Sequence, residues 1–95
     1  MVSQEQIQEW KEKHGDVYKL SVEDKTCYLK KPNRKTLSYA STAGAKDPFK
    51  FNEVILAQCW LGGDEEIKTD DMLFLSASSK IGDLIEIKEA ELEKL

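Results

Sequence analysis

Apolar positions along the first fourteen residues follow a helical period: Ile7, Trp10 and His14 fall at i, i+3 and i+7 among polar neighbours. Ser3 stands where an N-cap belongs, Gln6 follows three residues later as a capping-box partner, and Val2 is placed to staple against Ile7. Gly15 supplies the stop. The pattern predicts a helix over 4–14, too short to persist unless Trp10 docks on the rest of the chain.

The period then changes. Tyr18, Leu20 and Val22 alternate with Val17, Lys19 and Ser21, the polar turn Glu23-Asp24-Lys25 follows, and Thr26-Cys27-Tyr28-Leu29-Lys30 alternates again. These residues predict a β-hairpin over 17–31. Two strands alone are not stable in water, so one face must be covered by helices or by another copy of the chain, and the exposed edges must be hidden or paired.

Helical signals fill residues 33–95. Asn33 caps a helix expected from Arg34 to about Ala45, whose face of Leu37, Ala40, Ser41 and Gly44 is small enough for close backbone approach. Asp47-Pro48 reads as an N-cap followed by proline at the first helical position, opening a helix that carries Phe51, Val54, Ile55 and Cys59 and is expected to stop at Gly62-Gly63, with Trp60 and Leu61 at its end. An acidic loop leads to Thr69 as the next N-cap. A long last helix follows, its apolar stripe running through Met72, Leu75 or Phe74, Ile81, Leu84, Ile85, Lys88, Leu92 and Leu95. Ser78-Ser79 and Gly82 are its weak places. The fold class expected is therefore α+β, one N-terminal hairpin packed with four or five helices in a single domain over 1–95.

Composition narrows the functional classes. Ninety-five residues at 40% hydrophobic content support one core, not a core plus a deep dry cavity. Apolar runs such as Val54-Ile55-Leu56-Ala57 are far shorter than a bilayer requires, so no membrane contact is expected. The polar start, Met1-Val2-Ser3-Gln4-Glu5-Gln6, lacks the features of a secretory signal and points to the cytoplasm. In that compartment Cys27 and Cys59 read as small buried apolar residues rather than a disulfide.

Charge is distributed unevenly. Through Lys35 the chain holds eight Lys/Arg against six Asp/Glu, a balance of +2; beyond it six stand against twelve, a balance of −6, and the sum is the net −4. Lys30, Lys31, Arg34 and Lys35, flanked by Tyr28 and Tyr39, form the basic cluster. The pI of about 5.0 argues against nucleic acid as its partner. An acidic surface, in cis or on a neighbouring molecule, is the simpler complement.

No catalytic constellation is legible. His14 ends a helix, where a cation suits the dipole. A Cys–His pair would need His14 to approach Cys27 or Cys59 together with an orienting group, and two cysteines with one histidine are too few for a usual zinc site. The run Asp64-Glu65-Glu66 with Asp70-Asp71 lacks the alternating acids and central glycine of a calcium loop. Gly62-Gly63 lacks the Lys-Ser/Thr of a phosphate cradle. No metal or cofactor is expected, and no enzymatic activity.

The succession of a hairpin ending Tyr28-Leu29-Lys30-Lys31-Pro32-Asn33-Arg34-Lys35, a small-residue helix, Asp47-Pro48 opening a helix that ends Cys59-Trp60-Leu61-Gly62-Gly63, and an acidic terminal helix resembles the small tail assembly chaperones of long-tailed bacteriophages, often encoded in prophages. The resemblance spans roughly 17–95, with the first helix as an addition. It implies a non-enzymatic role in the bacterial cytoplasm, escorting the aggregation-prone tape measure protein while tube subunits assemble around it. Accessible apolar grooves and weak repeated contacts suit such a role, and homo-oligomers fit the unbalanced charge. The contact residues expected are Phe49, Phe51, Trp60, Leu61 and Trp10, with Lys30, Lys31 and Arg34 supplying the basic rim. The alternatives are a small cytoplasmic interaction adaptor of bacterial or prophage origin with no tail role, and a small hydrolase or metal-dependent enzyme.

Overall fold

A computed structural model describes residues 2–85 and 90–95. Its order is α1 (Gln4–His14), β1 (Val17–Val22), β2 (Lys25–Lys30), α2 (Arg34–Ala43), α3 (Pro48–Cys59), β3 (Trp60–Gly63), α4 (Glu66–Thr69) and α5 (Asp71–Ile81), closed by a 3-10 turn over Gly82–Leu84. The class is α+β, as the sequence patterning predicts.

Local chemistry sets the helix starts. The Ser3 hydroxyl accepts from the Gln6 amide at 3.2 Å, Asn33 Oδ1 from Thr36 N at 2.8 Å, and Asp47 Oδ1 from Phe49 N at 3.1 Å, each satisfying a donor the first helical turn would otherwise leave open. The last helix is capped one residue later than expected. Asp70, rather than Thr69, accepts from Met72 N at 3.0 Å and Leu73 N at 3.1 Å, because Thr69 already belongs to the short helix α4, which the sequence pattern does not foretell.

The sheet has three strands, not two. β1 pairs with β2 antiparallel through the two-residue turn Glu23-Asp24, and Trp60–Gly63, expected to end a helix, leaves α3 at Cys59 and pairs with the other side of β2. A bulge at Tyr28/Leu29 shifts the register between Leu29↔Trp60 and Tyr28↔Gly62. Gly63 makes the close approach possible. Its φ is +131°, and a Cβ there would stand 2.4 Å from the Thr26 carbonyl and 2.5 Å from Cys27 Cα. Beyond it, Asp64 donates its amide to Thr26 O and accepts from Thr26 N through its carboxylate, both at 2.8 Å, while Lys25 Nζ lies 3.3 Å from Glu66.

The two faces of the sheet are covered differently. Cys27 and Leu29 point into the core with Ile55, Leu56 and Cys59 of α3, Ile67 of α4, and Ala77 and Ile81 of α5; Leu84 closes the end. Each of the larger aliphatic side chains withdrawn there contributes about 1.5–3 kcal/mol. Tyr28, alternating between Cys27 and Leu29, faces the other way and receives α1. α2 packs on α3 and adds Ala40 to the core, with Leu37 against it and Gly44 so near Phe51 that a Cβ on Gly44 would lie 2.7 Å from the Phe51 Cβ. The small-residue face of α2 is thus occupied within the chain.

The long terminal helix is shorter than its stripe. α5 continues through Ser78-Ser79 but ends at Ile81, and residues 90–95 carry no regular secondary structure, with Leu92 and Leu95 fully exposed. The positions expected at Glu86, Lys88 and Glu89 lie outside the described residues. Gly82, the weakest helix former in the stripe, is where the α-helical bonding gives way to the 3-10 turn.

Candidate protein-interaction surface

Most of the aromatic residues expected at a partner contact are engaged within the chain. Trp10 carries α1 onto the sheet: its ring centroid lies 5.8 Å from that of Tyr28 at 40°, and its ring would stand 3.1 Å from a Cβ on Gly62. Phe51 is half-buried between α2 and α3. Trp60 is half-buried opposite Leu29, and the Lys68 ammonium sits 4.3 Å above its ring while also pairing with Glu65 at 2.6 Å. Leu61, at the bulge, lines a groove with Val2, Gln6 and Trp10. Phe49 alone among these five is strongly exposed, at 51%.

The basic residues divide as well. Lys30 and Lys31 are half-buried at the end of β2, whereas Arg34 and Lys35 are exposed on the first turn of α2. The Lys30 ammonium acts on two neighbours. Burial first, and then the Lys30 and Lys13 ammonium groups, hold the His14 imidazole below its ordinary value, so near neutral pH His14 is less charged than a helix-capping cation would be. Burial raises the Cys59 thiol, with Lys30 opposing. Cys27 is raised further, to about 11, by burial and then by the Asp64 carboxylate. Both thiols are free and buried, which makes them packing groups rather than reactive ones. Among the described residues no group of three or more His, Cys, Asp or Glu is placed to hold a metal.

Besides Phe49, open surfaces lie on α5 and α2 among the described residues. On α5, Met72-Leu73-Phe74-Leu75 are four successive apolar residues, and at 100° per residue they clothe every side of the helix. Leu73 and Phe74 pack against the core, which leaves Met72 at 68% and Leu75 at 42% exposure, three residues apart on the outer side. The stripe in the sequence assigns Met72 and either Leu75 or Phe74 to the core; the structure packs Phe74 inward and turns Met72 and Leu75 out. Beyond this first turn the same outer side carries the exposed Ser76 and Ser79, so the open apolar patch is confined to Met72 and Leu75. On α2, Arg34, Lys35, Ser38, Tyr39, Thr42 and Ala43 line a shallow open concavity, with Tyr39 63% exposed. No carboxylate occurs in the sequence between Arg34 and Lys46.

Sequence reasoning missed Met72 as a surface residue and left Leu75 and Phe74 as alternatives for the core, while Tyr39 already stood beside the basic cluster. The signal for Met72 and Leu75 was present in the unbroken apolar run, which is wider than one buried face needs. No helix among the described residues is long and apolar enough to cross a membrane. Compared with known protein families, characterised proteins and solved structures, the chain matches none.

Proposed function

We propose that the chain is a non-enzymatic protein-binding module of the bacterial cytoplasm that acts as an assembly chaperone of the phage tail type, holding an apolar helical segment of a tape measure protein. The observation that carries this reading is the outer side of α5, where Met72 and Leu75 stand exposed on a helix that is apolar on its inner side too. Methionine suits such a contact, because an unbranched, polarisable side chain adapts to a long client whose successive segments differ in shape. Phe49 at the start of α3 adds a second exposed apolar contact. An amphipathic client helix laid on such a face gains from apolar burial without a deep pocket, and weak individual contacts permit release. The net charge of −4 keeps the loaded module from self-precipitating.

Co-expression with a tape measure protein tests the proposal. The expected result is a complex recovered in solution, lost in Met72→Glu/Leu75→Glu while the thermal unfolding of the variant stays unchanged, since both side chains are exposed. A tape measure protein that remains aggregated with either form refutes the tail role. A complex indifferent to both substitutions refutes the α5 surface. Binding of some other helical client through Met72 and Leu75 would leave the adaptor reading in its place.

A further inference from the structure

We propose that the basic, aromatic face of α2 is a self-association site that receives residues 90–95 of a second copy of this chain. Two surfaces of opposite character are left over in the same molecule. On one side stand Arg34 and Lys35, exposed and in no ion pair among the described residues, with the Tyr39 ring 63% exposed beside them in the concavity that Thr42 and Ala43 extend. On the other side is Ala90-Glu91-Leu92-Glu93-Lys94-Leu95, exposed throughout, with Leu92 and Leu95 fully open to solvent. Neither has a complement among the described residues of its own chain.

The match is one of charge and spacing. Leu92 and Leu95 are three residues apart, so a single helical turn in the bound segment puts them on one side. That side meets the Tyr39 ring and the Thr42 and Ala43 methyl groups. Glu91 and Glu93 flank Leu92 and reach Arg34 and Lys35, and the absence of any carboxylate along α2 means nothing on that helix competes for the guanidinium and ammonium groups. Among the described residues nothing covers Leu92 or Leu95. A second copy is therefore the occupant chosen. Reciprocal exchange of the two segments closes a twofold dimer, in which each α2 is covered once. The client surface of α5 takes no part, so the inference stands whether or not the proposed function does.

Sedimentation velocity over a concentration series, at low and high salt, tests it. The wild-type chain is expected to pass from monomer to dimer as concentration rises and to dissociate on addition of salt. Arg34→Glu/Lys35→Glu and Glu91→Lys/Glu93→Lys are each expected to weaken dimerisation at least about tenfold. The chain carrying all four substitutions regains it, because both partners of the contact are reversed together. Every substituted side chain is exposed, and the four-fold variant shows that any loss in the pairs is not misfolding. A wild-type chain that stays monomeric throughout, association unmoved by either reversal, or a four-fold variant that fails to recover would each overturn the proposal.

Discussion

Replacing Gly63 by alanine tests the least expected element of the fold, the third strand. An added Cβ would lie 2.4 Å from the Thr26 carbonyl oxygen, 2.5 Å from Cys27 Cα and 3.0 Å from Cys27 Cβ. The first two are backbone atoms of the central strand, which cannot swing aside as a side-chain tip can. A φ of +131° adds strain of its own for a residue with a Cβ, about 1–3 kcal/mol. Forcing a methyl into filled space costs a similar amount, about 1–3 kcal/mol. The expected loss is roughly 3 kcal/mol or more, a large share of the about 5–15 kcal/mol that holds a domain together. For a chain of this size it lowers Tm by about 12–24 °C. Gly82→Ala is the matched control: its φ is −58°, nothing lies within 4 Å of the added Cβ, and restricting the unfolded chain should stabilise it by about 0.4–1 kcal/mol. Differential scanning calorimetry on the two variants gives opposite signs if the argument holds. A Gly63→Ala protein within a few degrees of wild type would mean that β3 does not approach β2 so closely, and would remove the pairing of Trp60 with Leu29.

Two further expectations concern the hairpin. Glu23 sits at φ 55° in the two-residue turn, a left-handed conformation costing a residue with a Cβ about 1–2 kcal/mol, so Glu23→Asn should gain about 0.5–1 kcal/mol and a few degrees in Tm, whereas a loss would contradict the turn geometry. Cys27 bears on pH: burial and then Asp64 raise its pKa from 9.0 to about 11, so the folded state favours the neutral thiol, and the stability this contributes is complete below 9.0 and disappears as pH rises through about 11. Urea midpoints should therefore fall more steeply across that window in the wild type than in Cys27→Ala, and parallel slopes would show that the thiol is not desolvated in the fold.

Much of the fold was legible because its cause is local. Ser3, Asn33 and Asp47 each cap the helix that follows through a contact two or three residues away, and the hairpin alternation carries its own register. β3 was not legible for the opposite reason. Gly62-Gly63 is a helix stop by local rules, and what makes it a strand is Thr26 and Cys27, with the hydrogen bond from Thr26 N to Asp64 spanning 38 residues of sequence. The terminal helix failed differently. The stripe from Met72 to Leu95 keeps a helical period, yet a period only says which residues would share a side, and no described element lies where the last of them could be covered.

The surface was least legible for the same physical reason. A tryptophan on a helix reads equally as anchor or as contact until its neighbours are placed, and Tyr28 and Gly62 decide Trp10 while Leu29 and Lys68 decide Trp60. With those rings joining α1 and β3 to the sheet, the apolar groups left outside are the ones that no short-range rule separates from the core. Met72 and Leu75 differ from Leu73 and Phe74 only in the direction their helix turns toward β1. That orientation is set by Ala77 and Ile81, which are buried to the last few square ångströms and allow α5 no other side to present inward. Burial of two residues at the C-terminal half of α5 thus dictates exposure of two others at its N-terminal half. The exposed apolar pair on this helix is a consequence of core packing rather than an addition to it.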